Sequence, residues 1–396
     1  MDIVSPIVST GPLSGVRVIE IGGIGPGPFC GMMLADMGAE VLRVDRPGYR
    51  SPANPLPPHA DLMNRGRRSV AIDLKSPRGA ETVLRLVESA DIIFEGFRPG
   101  VAERLGIGPE ACAERNPRIV FGRMTGWGQQ GSLAGRAGHD INYIGLTGVL
   151  AAIGTPESPL PPLNVVGDFG GGGMLLAFGL VCALHEARAS GRGQVVDASI
   201  VDGASLLMTM FHAFAGEGFW SPARGVNLLD GGSHYYNVYE CADGRHVAAG
   251  AIEPQFYRRL LEGLGLDQDR DFLDGQARPD SWPVLKKRMA EVFRSRTQAE
   301  WLAEFEGTDA CLTEVVPLGE AAGHPLNVER DAFVRVGSTV QPAPAPRFSR
   351  TAPGVPSPPP SPGEHTVAAL TSWGLPAAEV DDLIGDGTVV QDGAQW

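Results

Sequence analysis

Through the first third of the chain, apolar residues come in short blocks divided by polar, glycine-bearing turns, and each block has the length of a strand or of a few helical turns. Residues 16–21 form a β-branched apolar run stopped by Gly22-Gly23, which predicts a buried strand. Residues 28–37 read as a helix with proline near its first turn, closed by Gly38, and residues 40–44 return to the strand pattern. Strand-like blocks recur at 70–72, 92–94 and 119–122, with helical patterns at 79–89 and 100–105 among them. Such alternation predicts an α/β fold, a Rossmann-like open and mostly parallel sheet covered by helices.

Beyond Asp140 the pattern turns mainly helical as far as residue 189, interrupted by the proline-rich turn 155–162 and the glycine run 170–173, and 194–200 reads as a strand again. From about Asn227 the character changes. Residues 235–241, the turn Ala242-Asp243-Gly244-Arg245 and residues 246–251 make a strong hairpin signal, followed by amphipathic helices at 253–264 and 282–293. Residues 341–363, rich in Pro, Ser and Ala, predict an extended surface segment, and 364–373 with 376–383 a terminal helical pair. The resulting division is a large α/β domain (1–200), a linker (201–224), a small α+β domain (225–312), a return linker (313–334) and a C-terminal segment (335–396) docking on the large domain. No internal repeat is visible.

The 396 residues suffice for roughly two domains with full cores, and 43% hydrophobic with 20% charged residues is ordinary for a soluble enzyme. A net charge of −13 argues against nucleic acid, which calls for a basic surface, but leaves an anionic ligand open where arginines gather. Cys30, Cys112, Cys182, Cys241 and Cys311 are scattered without a CxxC, which disfavours disulfides and zinc and favours a reducing compartment. Met1–Pro6 lacks the features of a signal peptide, Asp392–Trp396 carries no peroxisomal tripeptide, and no apolar run reaches about 20 residues. The expectation is a cytoplasmic protein without a membrane span.

Arg43, Arg46, Arg65, Arg67, Arg68, Lys75, Arg98 and Arg104 crowd the first quarter. Arg43 and Arg46 fall at the end of the second strand, on the carboxyl edge where open sheets bind ligands; Arg68 precedes a strand and Arg98 follows one. Converging there, they would grip phosphates; scattered, they are surface charges in weak ion pairs. The turn Gly22–Pro28 follows a strand and opens a helix, yet its spacing is not GxGxxG, and Pro26 and Pro28 lack the N–H groups that would cradle a pyrophosphate. Nicotinamide and flavin are disfavoured.

Acid-base candidates are few. His139-Asp140 opens a helix-like stretch, where free N–H groups favour negative charge, so an enolate oxygen would be stabilised there. Equally, Asp140 reads as an N-cap with His139 packed beside it. Asp168 also reads as an N-cap ahead of the glycines, or as an acid-base group where backbone can approach a ligand. Glu253 begins the helix after the hairpin, where an acid suits the helix dipole. Ser199 and Ser205 lack a GxSxG elbow, which disfavours a serine hydrolase.

Several ordered strings together carry a resemblance: Gly11–Gly15, Gly22–Pro28, Val44-Asp45-Arg46-Pro47, Asp73-Leu74-Lys75, Glu95–Gly100, Gly138–Tyr143, Gly167–Gly172 and Ile252–Phe256. Over nearly its full length the chain resembles the class III CoA-transferase family, and within it the branch of alpha-methylacyl-CoA racemases. The resemblance implies His139, partnered by Glu253, as one acid-base group and Asp168 as the opposing one, with Asp140 at the oxyanion. In the transferase branch the aspartate matching Asp168 is a nucleophile that carries an acyl group, so retention of His139 and Glu253 separates the branches. Also implied is coenzyme A, as part of an acyl-CoA substrate, along Arg43, Arg46, Arg65, Arg68, Ile72, Lys75, Glu95, Arg98 and Arg104. No separate cofactor or metal is implied. The family further implies an interlocked homodimer.

Overall fold

Parallel strands covered on both faces need apolar side chains to alternate between two cores. The computed structural model, which describes residues 10–49, 51 and 54–391, has that pattern. Met1–Pro6 and Asp392–Trp396, and the targeting expectations resting on them, lie outside the described residues. The chain runs through β1 (Arg17–Ile21), α1 (Pro26–Asp36), β2 (Glu40–Asp45), β3 (Arg68–Ile72), α2 (Pro77–Val87), β4 (Ile92–Glu95), α3 (Val101–Arg104), α4 (Pro109–Arg115) and β5 (Val120–Thr125). There follow α5 (Asp140–Ile144), a wide-turned helical segment Val166–Met174, α6 (Leu175–Ser190), β6 (Val195–Ser199) and α7 (Ile200–Leu207). Of these, α4 was not anticipated from the sequence.

The strand order is β3-β2-β1-β4-β5-β6, all parallel, with the short strand Val389–Val390 antiparallel beside β3. Ile19, Ile21, Leu42, Val44 and Ile93 point to one face, where α2 and the terminal helices Thr366–Ser372 and Ala377–Gly385 bury them. Val18, Val41, Ile92, Phe94 and Val120 point to the other, beneath α1 and α6. Each such buried side chain contributes about 1.5–3 kcal/mol. The order reverses between β1 and β4, so the loops leaving their carboxyl ends diverge and open a crevice.

Clustering of contacts separates two compact units, one of residues up to 147, 163–207 and 326 onward, the other of 148–162 and 208–325. The second contains the predicted hairpin, β7 (Tyr236–Glu240) and β8 (His246–Gly250), extended by β9 (Leu312–Glu314). Helices Pro254–Leu264 and Trp282–Phe293 supply its core with Leu260, Leu261, Met289 and Phe293. The stretch read as a linker at 201–224 carries α7 and the helix Thr209–Gly216.

The glycine run does not interrupt the helix as expected. Residues 166–174 wind with wide turns directly into α6, and the run lets two backbones meet: a Cβ on Gly203 would stand 1.9 Å from the Gly171 carbonyl oxygen. One consequence corrects the expectation about apolar length. Leu163–Ser190 is long and apolar enough by length and composition to cross a membrane. Here Leu176, Leu180 and Leu184 pack on the sheet, while Met174 and Phe178 are exposed.

Candidate active site

A cavity of about 850 Å³ occupies the crevice at the carboxyl edge of the sheet, within the first unit. Its wall is built from the turn after β1 (Gly22–Gly27), the end of β2 (Arg43–Arg46), the turn after β4 (Gly96–Pro99), Thr125–Trp127, the loop from Ala134 to His139, and Asp168. This is where the strand reversal places ligands in open α/β sheets.

His139 is itself the N-cap of α5, in extended backbone (φ −131°, ψ 173°), which corrects the assignment of that role to Asp140. Its N–H donates to Asn142 Oδ1 at 3.0 Å, closing the helix start, and the residue is exposed at the cavity wall. Asp140 turns the other way. Its Oδ1 accepts the Asp168 N–H at 2.8 Å, and the Gly167 N–H bonds to the same carboxylate. A Cβ on Gly167 would lie 2.1 Å from Asp140 Oδ1, so this approach requires glycine. Asp140 thereby ties the residue beside His139 to the residue bearing the second carboxylate.

Asp168 is likewise no N-cap; it lies inside the wide-turned segment. Its carboxylate accepts from Asn164 Nδ2 at 3.1 Å, and its Oδ2 is 3.3 Å from where a Gly25 side chain would begin. Burial raises its proton affinity above the usual aspartate range; Asn164 opposes this, Asp140 adds to it and His139 lowers it. Asp140 is also raised by burial, against the two N–H groups it accepts. Tyr143 braces the histidine loop, its hydroxyl donating to the Gly138 carbonyl and its ring meeting Trp127 edge-on at 4.7 Å.

The cations divide sharply. Arg46, stacked over Tyr49 at 5.2 Å, and Lys75 and Arg98 are exposed on the cavity wall, with Ile72 among its apolar lining. Arg136, which the sequence reading passed over, joins them. Among the described residues none of these four is in an ion pair. Arg43 lines the cavity too but is engaged, its Nε 2.9 Å from Asp45 Oδ1 and its Nη1 on Asn64. Burial works against its charge, and the neighbouring carboxylates of Asp45 and Glu20 outweigh that and raise its basicity.

Besides Asp140, five expected residues are not on the wall. Arg65 is buried on Asp36 (Nε to Oδ1 3.0 Å) and Gln341 (2.8 Å); Arg68 pairs with Glu40 and donates to Ser372 Oγ at 3.0 Å. Both flank the amino end of β3, whereas its carboxyl end faces the cavity. Arg104 is exposed on α3 outside the lining, and Glu95 is buried behind it, its carboxylate accepting the Phe97 N–H. Glu253 belongs to the second unit, where it is the N-cap of Pro254–Leu264 and makes no side-chain bond to that helix. Among the described residues no group of three or more His, Cys, Asp or Glu could hold a metal ion.

Comparison with known proteins places the chain in a family. Residues 13–366 match the model of CoA-transferase family III. The chain is 46% identical to the alpha-methylacyl-CoA racemase of Mus musculus, over 96% of this chain and 98% of that protein. It is 45% identical to the alpha-methylacyl-CoA racemase of Homo sapiens, over 94% and 96% respectively. Among solved structures, a CaiB/BaiF family protein from Brucella suis superposes with a TM-score of 0.80 at 24% identity, covering 92% of this chain and all (100%) of that one, a likeness of fold.

Proposed function

The chain belongs to CoA-transferase family III, and on that premise we propose that it is a racemase, an isomerase interconverting (2R)- and (2S)-2-methylacyl-CoA thioesters by 1,1-proton transfer. The observation that carries this reading is that His139 and Asp168 line one cavity and are tied through Asp140. The thioester acidifies the α C–H bond; one group removes the proton, the other returns a proton to the opposite face, and the intermediate is an enolate. Asp168, shifted toward its protonated form, suits the donor role in one direction. Positioned acid-base groups supply roughly 10²–10⁴-fold, so stabilisation of the enolate oxygen must supply much of the rest. Backbone N–H groups around Asp140 are the donors assigned to it.

CoA is the handle of the substrate, its phosphates drawn by Arg46, Lys75, Arg98 and Arg136, four cations of the cavity wall without an ion pair among the described residues. The reaction as written calls for no metal or redox group, because the thioester provides the acidity. Glu253, whose carboxylate its own helix does not use, is the proposed partner of His139, from this subunit or a second one. Exposure of Met174, Phe178, Leu206 and Leu207 supports a homodimer, and the free cysteines suit the cytoplasm.

The test is to incubate each epimer of a 2-methylacyl-CoA with the protein in heavy water. Uptake of deuterium at the α-carbon together with loss of chirality is expected from both epimers. Absence of exchange, with CoA passing to a free carboxylate, would instead establish a transferase acting through Asp168.

A further inference from the structure

Glu95 is a buried carboxylate that the proton-transfer chemistry does not use. It ends β4, is 3% exposed, and stands opposite Arg123 in the register with β5. Its Oε2 accepts the Phe97 N–H, two residues on. The Arg98 carbonyl accepts the Val101 N–H at 3.1 Å, so the turn between β4 and α3 is clamped at both ends. That turn, Gly96–Pro99, is cavity wall, and Arg98 is its only cation.

We propose that Glu95 is a positioning residue, whose carboxylate holds the Gly96–Pro99 turn so that Arg98 presents its guanidinium to the CoA portion of the substrate. The role rests on the CoA reading of the cavity. An acid is a costly choice for this place, because water is excluded and Arg123 is committed elsewhere, to Gln129 at 2.8 Å and to Glu103. A neutral acceptor would have served a purely structural turn.

Burial raises Glu95 to about 7; the Phe97 N–H and Arg123 lower it, and Glu103 on α3 and Asp197 on β6 raise it further. Ionised above that pH, the carboxylate makes a charge-assisted bond to Phe97; protonated below it, the bond weakens. The turn should therefore hold Arg98 less firmly in mild acid. Stability runs the opposite way. Between the ordinary glutamate range and pH 7 the folded state holds a proton that the unfolded state has lost, so ionising Glu95 destabilises the fold as pH rises.

The experiment is calorimetric titration of free CoA into the full-length protein from pH 6 to 8.5, for wild type, Glu95→Gln, Glu95→Ala, Arg98→Ala and the Glu95→Ala/Arg98→Ala double variant, with thermal unfolding alongside. Glu95→Ala should weaken CoA about tenfold at pH 8, the order expected for a bond to a charged group. Adding it to Arg98→Ala should cost less than twofold more, because the two act through one contact. Glu95→Gln should remove the tightening that wild type shows on passing pH 7, while melting at or above the wild-type temperature at pH 8. Reading the difference from wild type cancels titration of the CoA phosphates themselves.

Equal losses on the two backgrounds would overturn the role, as would wild-type affinity in Glu95→Ala. If that variant does not fold, Glu95→Gln decides: a pH dependence unchanged from wild type overturns the proposal. Failure of the wild type to bind CoA at all would overturn the reading of the cavity, and this role with it.

Discussion

Two histidines, one in each unit of the chain, are held in opposite ways. In the small unit His234 is fully buried, its Nε2 2.6 Å from the Tyr257 hydroxyl, which in turn donates to the Phe272 carbonyl at 2.9 Å. That relay makes His234 the Nε2–H tautomer and leaves Nδ1 without a partner among the described residues, and burial depresses its pKa to about 4. In the sheet unit His139 is exposed to a cavity, Asp168 has one amide donor on its carboxylate, and four cations have no ion pair among the described residues. Polar groups shut inside their own core hold the fold together; those held in place at a cavity wall with spare capacity are available to a substrate.

Removing a cavity group should break this contrast most visibly. His139→Ala or Asp168→Ala is expected to slow α-hydrogen exchange by about 10²–10⁴-fold, the contribution of a positioned acid-base group. CoA affinity should stay near wild type in both, measured by titration. A large loss of CoA binding in Asp168→Ala would make that residue part of the scaffold, and the contrast would fail at its centre.

The arginines repeat the contrast within one unit. Arg65 and Asp36 have side chains only 4% and 5% exposed, so Arg65→Met strands a buried carboxylate and should cost about 3–5 kcal/mol in denaturant unfolding. Adding Asp36→Asn should return part of that stability. Arg98→Ala, by comparison, should unfold like wild type and weaken CoA. If the two effects were exchanged, the division into structural and binding cations would be wrong.

Smaller again is the acid response of the small unit. Because His234 stays neutral down to about pH 4, an unfolded chain takes up a proton below the ordinary histidine value that the native chain refuses. Stability should fall as pH drops from about 6.5 to 4, by at most about 3.4 kcal/mol from this residue at 1.36 kcal/mol per unit. Denaturation of His234→Phe at pH 7 and pH 5 should show a shallower acid loss than wild type. An identical loss would mean that His234 titrates in the native state.

The sheet was legible because runs such as Val18-Ile19 and Val41-Leu42 serve two cores at once and few other elements read that way. Helix 166–190 was misjudged at its glycines, since glycine suits both a break and a close backbone contact, and only the approach of Gly203 decides between them. Arg65 and Arg68 were misplaced although their order in the chain told against them: residues ahead of a parallel strand lie at its amino end, and only the carboxyl end of β3, with Ile72 and Lys75, reaches the cavity. Arg136 offered a signal that went unused, a cation three residues before His139 in the same loop. His139 and Asp168 were each ambiguous alone. What joins them is the Asp140 carboxylate on the Asp168 N–H, a contact across 28 residues that periodicity cannot reveal.

That contact yields the finest test of the comparison, because Asp140 sits between the two classes. Its hydrogen bonds to Asp168 and Gly167 are scaffold work, yet its charge raises the proton affinity of Asp168. Asp140→Ala loses both functions; the Gly167 and Asp168 N–H groups lose their acceptor, and exchange should drop about tenfold alongside about 1–3 kcal/mol of stability. Asp140→Asn keeps an oxygen where Oδ1 now accepts, so geometry and most of the rate should survive. Without the neighbouring charge Asp168 should release its proton more readily, moving the pH–rate limb governed by that carboxyl toward acid. A rate loss in Asn as deep as in Ala, with the limb unmoved, would show that Asp140 acts through something other than its acceptor oxygen, and the tie between the two bases would need another explanation.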